Sequence, residues 1–193
     1  TTEIYTLSLH DALPILIYLF APLLLGIPIT NYVVKEVGLV TGQLIYVVIC
    51  GIGLVSLAFV PIALIPVSLI ITGLGLSGQQ TITYNILGLV IDDDELRTGN
   101  RREGAFFGAN ALLTKPAQSV AIFLTAFILE QSGFITRAMN NDEIFLNQSG
   151  SALFAIRAIV GLIPGLAMLV GAVILLFFPI RGERLREMKA KIL

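Results

Sequence analysis

Lys115 is the only charged residue between Gly104 and Leu129. Asn110, Thr114 and Gln118 recur beside it at i, i+4 and i+8, and Ser119 follows four residues after the lysine itself. At helical spacing these residues form a polar strip. Lys115 falls roughly 15 Å from the start of its apolar stretch, near the middle of a hydrocarbon core ~30 Å thick. An ammonium there costs about 3 kcal/mol or more unless it meets a partner or water. The strip is therefore expected to face a cavity or a helix interface. Asn110, Thr114, Lys115 and Gln118 are read as a substrate or coupling-ion pathway, with a structural ion pair as the alternative for the lysine.

A second polar group, Gln79 to Asn85, interrupts an otherwise apolar run. Gln80 and Tyr84 share a face at i, i+4. An amide and a phenol can exchange hydrogen bonds with a hydroxyl-rich ligand, and this pair joins the expected pathway. Interhelical hydrogen bonding explains the same residues without a ligand. Arg157 and Glu130 lie near the ends of apolar runs, where snorkelling accounts for a charge.

The acidic run Asp92-Asp93-Asp94-Glu95 invites a calcium reading. An EF-hand needs an oxygen ligand at its fifth position and glycine at its sixth. Leu96 and Arg97 stand there, so no metal site is expected. Asp92, Asp94, Glu95, Arg101, Arg102 and Glu103 are instead expected to form a charge network in a loop.

Gly73-Leu-Gly-Leu-Ser-Gly78 matches G-x-G-x-x-G, but a dinucleotide fingerprint needs a strand before it and a βαβ unit around it. Inside a charge-free run its glycines are expected to admit neighbouring helices. Gly104 with Gly108, and Gly161 with Gly165, are small-x-x-x-small pairs that also let backbones approach closely. Asn147-Gln148-Ser149 is a chance match to a glycosylation acceptor.

These residues must be carried by membrane-spanning helices. The 193 residues are 56% hydrophobic and 13% charged, with mean hydropathy +0.91; soluble domains carry about 25% charged residues. A formal net charge of −1 excludes a basic nucleic-acid binder. A single cysteine, Cys50, excludes a disulfide scaffold and a cysteine-rich metal site. No cofactor is implied.

Residues 1–15, TTEIYTLSLHDALPI, resemble a translated short-read sequencing adapter and are set aside as an expected non-native scar. Ser8, His10 and Asp11 would otherwise tempt a hydrolase reading. Without this segment the net charge turns positive by one and histidine disappears. Residues 16–193 are then expected to be the C-terminal portion of a longer protein.

An all-α integral membrane fold of about five spans follows. The expected helices cover about 16–34, 40–60, 65–91, 104–131 and 153–180, with a polar loop over Asp92–Glu103, a second over Gln131–Ser151, and a charged tail over 181–193. Val37–Ile91 holds no Asp, Glu, Lys or Arg. As one helix it would reach roughly 80 Å, so it must fold back, and Pro61–Pro66 is the place. Kinks are expected at Pro116 and Pro164. Nine basic residues fall on one side of the bilayer, in the first and third loops and the tail, and only Arg137 on the other. The positive-inside rule then places the C-terminus in the cytoplasm of a multi-pass protein of the plasma or inner membrane.

Residues 92–119, DDDELRTGNRREGAFFGANALLTKPAQS, resemble the region joining helices ten and eleven of the glycoside–pentoside–hexuronide:cation symporters, a branch of the major facilitator superfamily. The resemblance rests on the acidic turn, on Thr98-Gly99-Asn100-Arg101-Arg102-Glu103-Gly104, and on Lys115 beyond it. Gly26-Ile-Pro28 through Lys35-Glu-Val-Gly38 is similar to the loop between helices eight and nine, with Leu39 and Val40 where a basic pair is often found.

The resemblance implies that the five spans correspond to helices 8–12 of a twelve-helix fold. It implies cation-coupled symport of a sugar or glycoside by alternating access, with sodium or proton as coupling cation. Lys115 would face the central site, and the 92–104 loop would hold one conformational state through its charge pairs. The partners would be a small carbohydrate solute, the lipid bilayer and the missing N-terminal helices, with no nucleic acid. A lysolipid or other solute carrier of the same family is one alternative. A polytopic subunit without a solute pathway is another. A membrane-embedded enzyme would need clustered His, Asp or Glu within the spans, so no enzyme is expected.

Overall fold

The computed structural model describes residues 2–134, 148–180 and Leu185, with side chains described from Leu13 onward. Arg137, Asn147 and nearly all of the charged tail over 181–193 lie outside the described residues.

Among the described residues the chain is helical, without strands. Helix α1 spans Thr2–Val37, α2 Leu39–Phe59, α3 Ile65–Thr98, α4 Glu103–Gln131 and α5 Gly150–Leu176. All five are long and apolar enough to cross a membrane, counting α1 from Leu13 and α3 from the preceding turn.

The breaks have local causes. Lys35 and Glu36 do not end α1, which runs on to Val37. The chain turns at Gly38, whose φ of 86° is open to glycine and costly for a side chain. The fold-back near the prolines is present. Val60 and Pro61 are extended, a 3₁₀ turn covers Ile62–Leu64, and Pro66 sits in the first turn of α3, where its missing N–H costs nothing.

The expected loop over Asp92–Glu103 is mostly helix. Helix α3 continues through the acids to Thr98 and stops at Gly99, in the left-handed conformation with φ 70°. An acidic run does not end a helix when Asp93 pairs with Arg97 one turn later. Only residues 99–102 connect α3 to α4. The last helix also differs from expectation: it begins at Gly150, capped by the Ser149 hydroxyl accepting from the Ala152 N–H at 3.1 Å, and ends at Leu176 rather than near 180. Pro164 is preceded by a π-helical segment over Ala158–Leu162. A register shift of this kind accommodates a residue that cannot donate to the preceding turn.

Helix α3 packs between α1 and α2, and α2 packs in turn against α5. Glycines set these contacts. A Cβ at Gly73 would strike the Leu19 carbonyl of α1; one at Gly75 would strike the Cys50 backbone of α2; one at Gly78 would strike the Tyr46 ring. The G-x-G-x-x-G run is thus a two-sided packing face. Gly161 and Gly165 do the same between α5 and α2, where an added Cβ would lie 2.5 Å from the Leu54 carbonyl oxygen and 2.7 Å from Val55 Cγ2. Gly104 and Gly108 meet nothing within 4 Å.

Hydroxyls join the same helices. Thr30 Oγ1 donates to the Gly26 carbonyl at 2.9 Å and lies 3.2 Å from Ser77 Oγ, with both residues fully buried between α1 and α3. Ser56 Oγ lies 2.8 Å from Ser68 Oγ between α2 and α3. Arg157 on α5 donates to the Val60 carbonyl at 3.4 Å, an acceptor at the end of α2. Helix α4 stands apart, with sparse contacts to α3 and α5 and no buried residue.

Candidate functional site

The polar side chains gather in three places. The most enclosed is a cleft over α2, between α3 and α5. Gln43 lies one turn into α2, and Gln79 and Thr83 lie on one face of α3 at i, i+4. The Gln43 Nε2 donates toward Thr83 Oγ1 at 3.3 Å and Gln79 Oε1 at 3.4 Å. Gln79 Nε2 lies 3.1 Å from Met168 Sδ on α5, a weak acceptor. Thr83 Oγ1 donates to its own helix, at the Gln79 carbonyl, at 2.6 Å. Gln43 is only 7% exposed, and its Oε1 has no hydrogen-bond partner among the described residues. The cleft has a volume of about 290 Å³, bounded also by Val47, Ile86, Ala167, Gly171 and Leu175. Its surface is mainly apolar with a few amide and hydroxyl groups, a lining suited to an uncharged occupant.

Gln43 was not singled out from sequence. Its signal was an isolated amide in a charge-free run, which reads equally as interhelical glue. Gln80 and Tyr84 lie away from this cleft. Both are exposed, Tyr84 to 63%, and neither makes a side-chain hydrogen bond among the described residues.

The second group is the α4 strip. Thr114 Oγ1 donates to the Asn110 carbonyl at 2.9 Å, and Ser119 Oγ to the Lys115 carbonyl at 3.3 Å. Those two hydroxyls are satisfied within their helix. Lys115, Asn110 and Gln118 are exposed and make no side-chain bond among the described residues. Among the described residues no hydrogen bond or ion pair joins this strip to Gln80 and Tyr84.

The third group lies where α3 meets α4. Arg102 grips Asp94 with two nearly parallel bonds, Nε to Oδ2 at 2.9 Å and Nη2 to Oδ1 at 2.6 Å. Arg101 donates from Nη1 to Glu95 Oε2 at 2.9 Å and from Nε to Glu103 Oε1 at 2.6 Å, and stands 3.7 Å from Asp92 Oδ1. The fork of the guanidinium matches the carboxylate, which fixes geometry as well as charge. The hydrogen bond to Glu103 is the largest cause raising the Arg101 pKa above its ordinary value, and that to Asp94 does the same for Arg102. Because the pairs face solvent, their effect on stability is small. They tie the start of α4 to the end of α3. Arg97 pairs separately with Asp93 at 3.8 Å. Among the described residues no three His, Cys, Asp or Glu side chains converge as metal ligands.

Comparison with known proteins agrees with a membrane carrier. A family model described as "MFS/sugar transport protein" matches residues 5–182. An uncharacterized symporter of Synechocystis sp. is 40% identical over 108 residues, which are 56% of this chain and 20% of that relative. A glucuronide carrier protein homolog of Escherichia coli K12 is 25% identical over 122 residues, 63% of this chain and 25% of the relative. The matched stretch is thus a quarter or less of either relative's length. With the match covering nearly all of its five apolar helices, the chain belongs to the MFS/sugar transport family, in the glycoside–pentoside–hexuronide branch of the major facilitator superfamily, a family of membrane transporters and not of enzymes.

Proposed function

We propose that these residues supply helices 8–12 of a symporter that moves a sugar or glycoside together with sodium or a proton. The observation that carries this reading is Lys115. It sits twelve residues into α4, about 18 Å along the helix, within an apolar span, and it makes no ion pair among the described residues. An ammonium at that depth needs a water-filled path, a carboxylate or a ligand. The other half of a major facilitator protein would supply that surrounding, since such carriers place their central site between two rocking halves.

In this reading Lys115, with Asn110, Thr114 and Gln118, faces the central path. Gln80 and Tyr84, unpartnered on the exposed face of α3, offer hydrogen bonds to solute hydroxyls. The ion pairs of Arg101 and Arg102 sit at the cytoplasmic end and favour one of the two access states. The names of the two relatives, a symporter and a glucuronide carrier homolog, support a carbohydrate solute and coupled movement. The protein would lie in the cell membrane with its C-terminus inside, as the distribution of basic residues favours.

The test is Lys115→Ala and Lys115→Arg in the complete carrier. Gradient-driven uptake should be lost in the alanine variant, while insertion and yield match the parent. Unchanged uptake kinetics in Lys115→Ala would reject the role.

A further inference from the structure

We propose that α5 carries a joint at its π-helical segment. About this joint its first arm, Gly150–Arg157, swings together with the far end of α4, while its second arm, Ile163–Leu176, stays fixed on α2. The inference goes beyond the transport reading and does not depend on which solute or cation is moved.

The joint and the second arm are held tightly. Gly161 lies in the π segment, and an added Cβ would sit 2.5 Å from the Leu54 carbonyl oxygen and 3.1 Å from Leu57 Cβ. One at Gly165 would sit 2.8 Å from the Val55 nitrogen and 3.0 Å from the Gly51 oxygen. Backbone lies against backbone at both positions, so this part of α5 cannot turn on α2 without parting the two helices. The first arm is held elsewhere. It touches α2 only sparsely. Ser151 Oγ donates to the Ser132 carbonyl at the end of α4 at 3.0 Å, and Ser149 Oγ reaches the same oxygen at 3.5 Å. Helix α4 in turn buries none of its residues, and its start is tied to α3 through Arg102 and Asp94.

The arms are joined where the helix ladder is interrupted. The Ile163 N–H donates to the Ala158 carbonyl five residues back, one residue wider than an α-helical turn. Pro164 follows. It has no N–H, and in a regular helix its ring would strike the carbonyl four residues earlier. Kinks concentrate at π-bulges and at prolines, and α5 has both side by side. Among the described residues one side-chain bond runs from the first arm to α2, from Arg157 Nη1 to the Val60 carbonyl at 3.4 Å. It is longer than an ordinary N–H···O bond and serves as a catch that holds the arm at one angle. The eight residues of the arm make a lever roughly 12 Å long, so a change of about 20° in the kink moves its tip by about 4 Å. The end of α4 moves with the tip and pivots on its tied start.

The test measures distances between spin labels in the complete carrier, held in lipid nanodiscs, with and without sodium. One pair sits at Leu153 on the first arm and Phe20 on α1, a second at Val173 on the second arm and Tyr32 on α1; all four side chains are exposed. The first pair should show two components about 4 Å apart, from the lever above, and the second a single narrow one. A label at Phe127, towards the far end of α4, paired with Phe20 should repeat the first pattern. Pro164→Ala lets the ladder close and should reduce Leu153–Phe20 to one component. Arg157→Ala releases the catch and should shift weight between the two components while Val173–Tyr32 stays put. A Leu153–Phe20 distribution as narrow as that of Val173–Tyr32 in both buffers would overturn the proposal. So would a Phe127 label that does not follow Leu153, two components that survive Pro164→Ala unchanged, or weights that ignore Arg157→Ala. None of these readouts depends on whether sugar uptake is found.

Discussion

Replacing Gly75 with alanine tests the packing of the bundle directly. The added Cβ would lie 2.5 Å from Cys50 Cα and 2.6 Å from Cys50 Cβ. Carbon atoms prefer about 3.5–4.0 Å, so α2 and α3 must part by roughly 1 Å at this level. The obstacle is backbone, and no rotamer change relieves it. Overpacking of this kind costs about 1–3 kcal/mol, against which alanine returns about 0.5–1 kcal/mol of helix preference over glycine. Taken at the middle of each range, the balance is a loss of about 1.25 kcal/mol, equal to a fall of about 2.5–5 °C in the melting midpoint for a chain of this size. Gly108→Ala is the matched control. It lies in the same kind of helix but meets nothing within 4 Å, so its midpoint should hold or rise slightly. Both variants are measured as the 193-residue chain in detergent, by circular dichroism during heating. If Gly75→Ala melts at or above the parent, or if the two variants shift alike, the close approach of α2 to α3 is refuted.

Two further outcomes follow from the polar contacts. A double-mutant cycle of Thr30→Val and Ser77→Ala should give a coupling of about 0.6 kcal/mol, the usual scale for a hydrogen bond between helices in a membrane; additive effects would show that the 3.2 Å contact does not form. Arg102→Ala should leave the melting midpoint close to the parent value, because its pair with Asp94 faces solvent, yet spin labels on the facing ends of α3 and α4 should show a broadened distance distribution. A sharp, unchanged distribution would mean that the guanidinium does not set the angle between those helices.

Much of the architecture was legible because membranes impose coarse rules. A charge-free stretch of 55 residues had to fold back, and two prolines marked the place. Helix ends were harder. The acids after Ile91 suggested a loop, but solvated Asp and Arg at i, i+4 extend a helix beyond its apolar part, and Gly99 supplies the stop. Lys35 and Glu36 misled in the same way, since Gly38 makes the break. Gly73, Gly75 and Gly78 showed that backbones must approach, not which helices would do so; that depends on tertiary partners, Leu19, Cys50 and Tyr46. The α4 strip could be seen at once by its lysine. The amide cluster could not, because Gln43 and Gln79 are 36 residues apart and no local pattern links them.

The proposal of coupled transport reduces to one experiment. The complete carrier, reconstituted into sealed vesicles, is offered a panel of radiolabelled sugars and glycosides, glucuronides among them, under an imposed sodium or proton gradient. Accumulation of at least one of them above its outside concentration, collapsing when the gradient is dissipated, is the expected result. Uptake that never exceeds equilibration, or that is the same with and without the gradient for every compound, would contradict it.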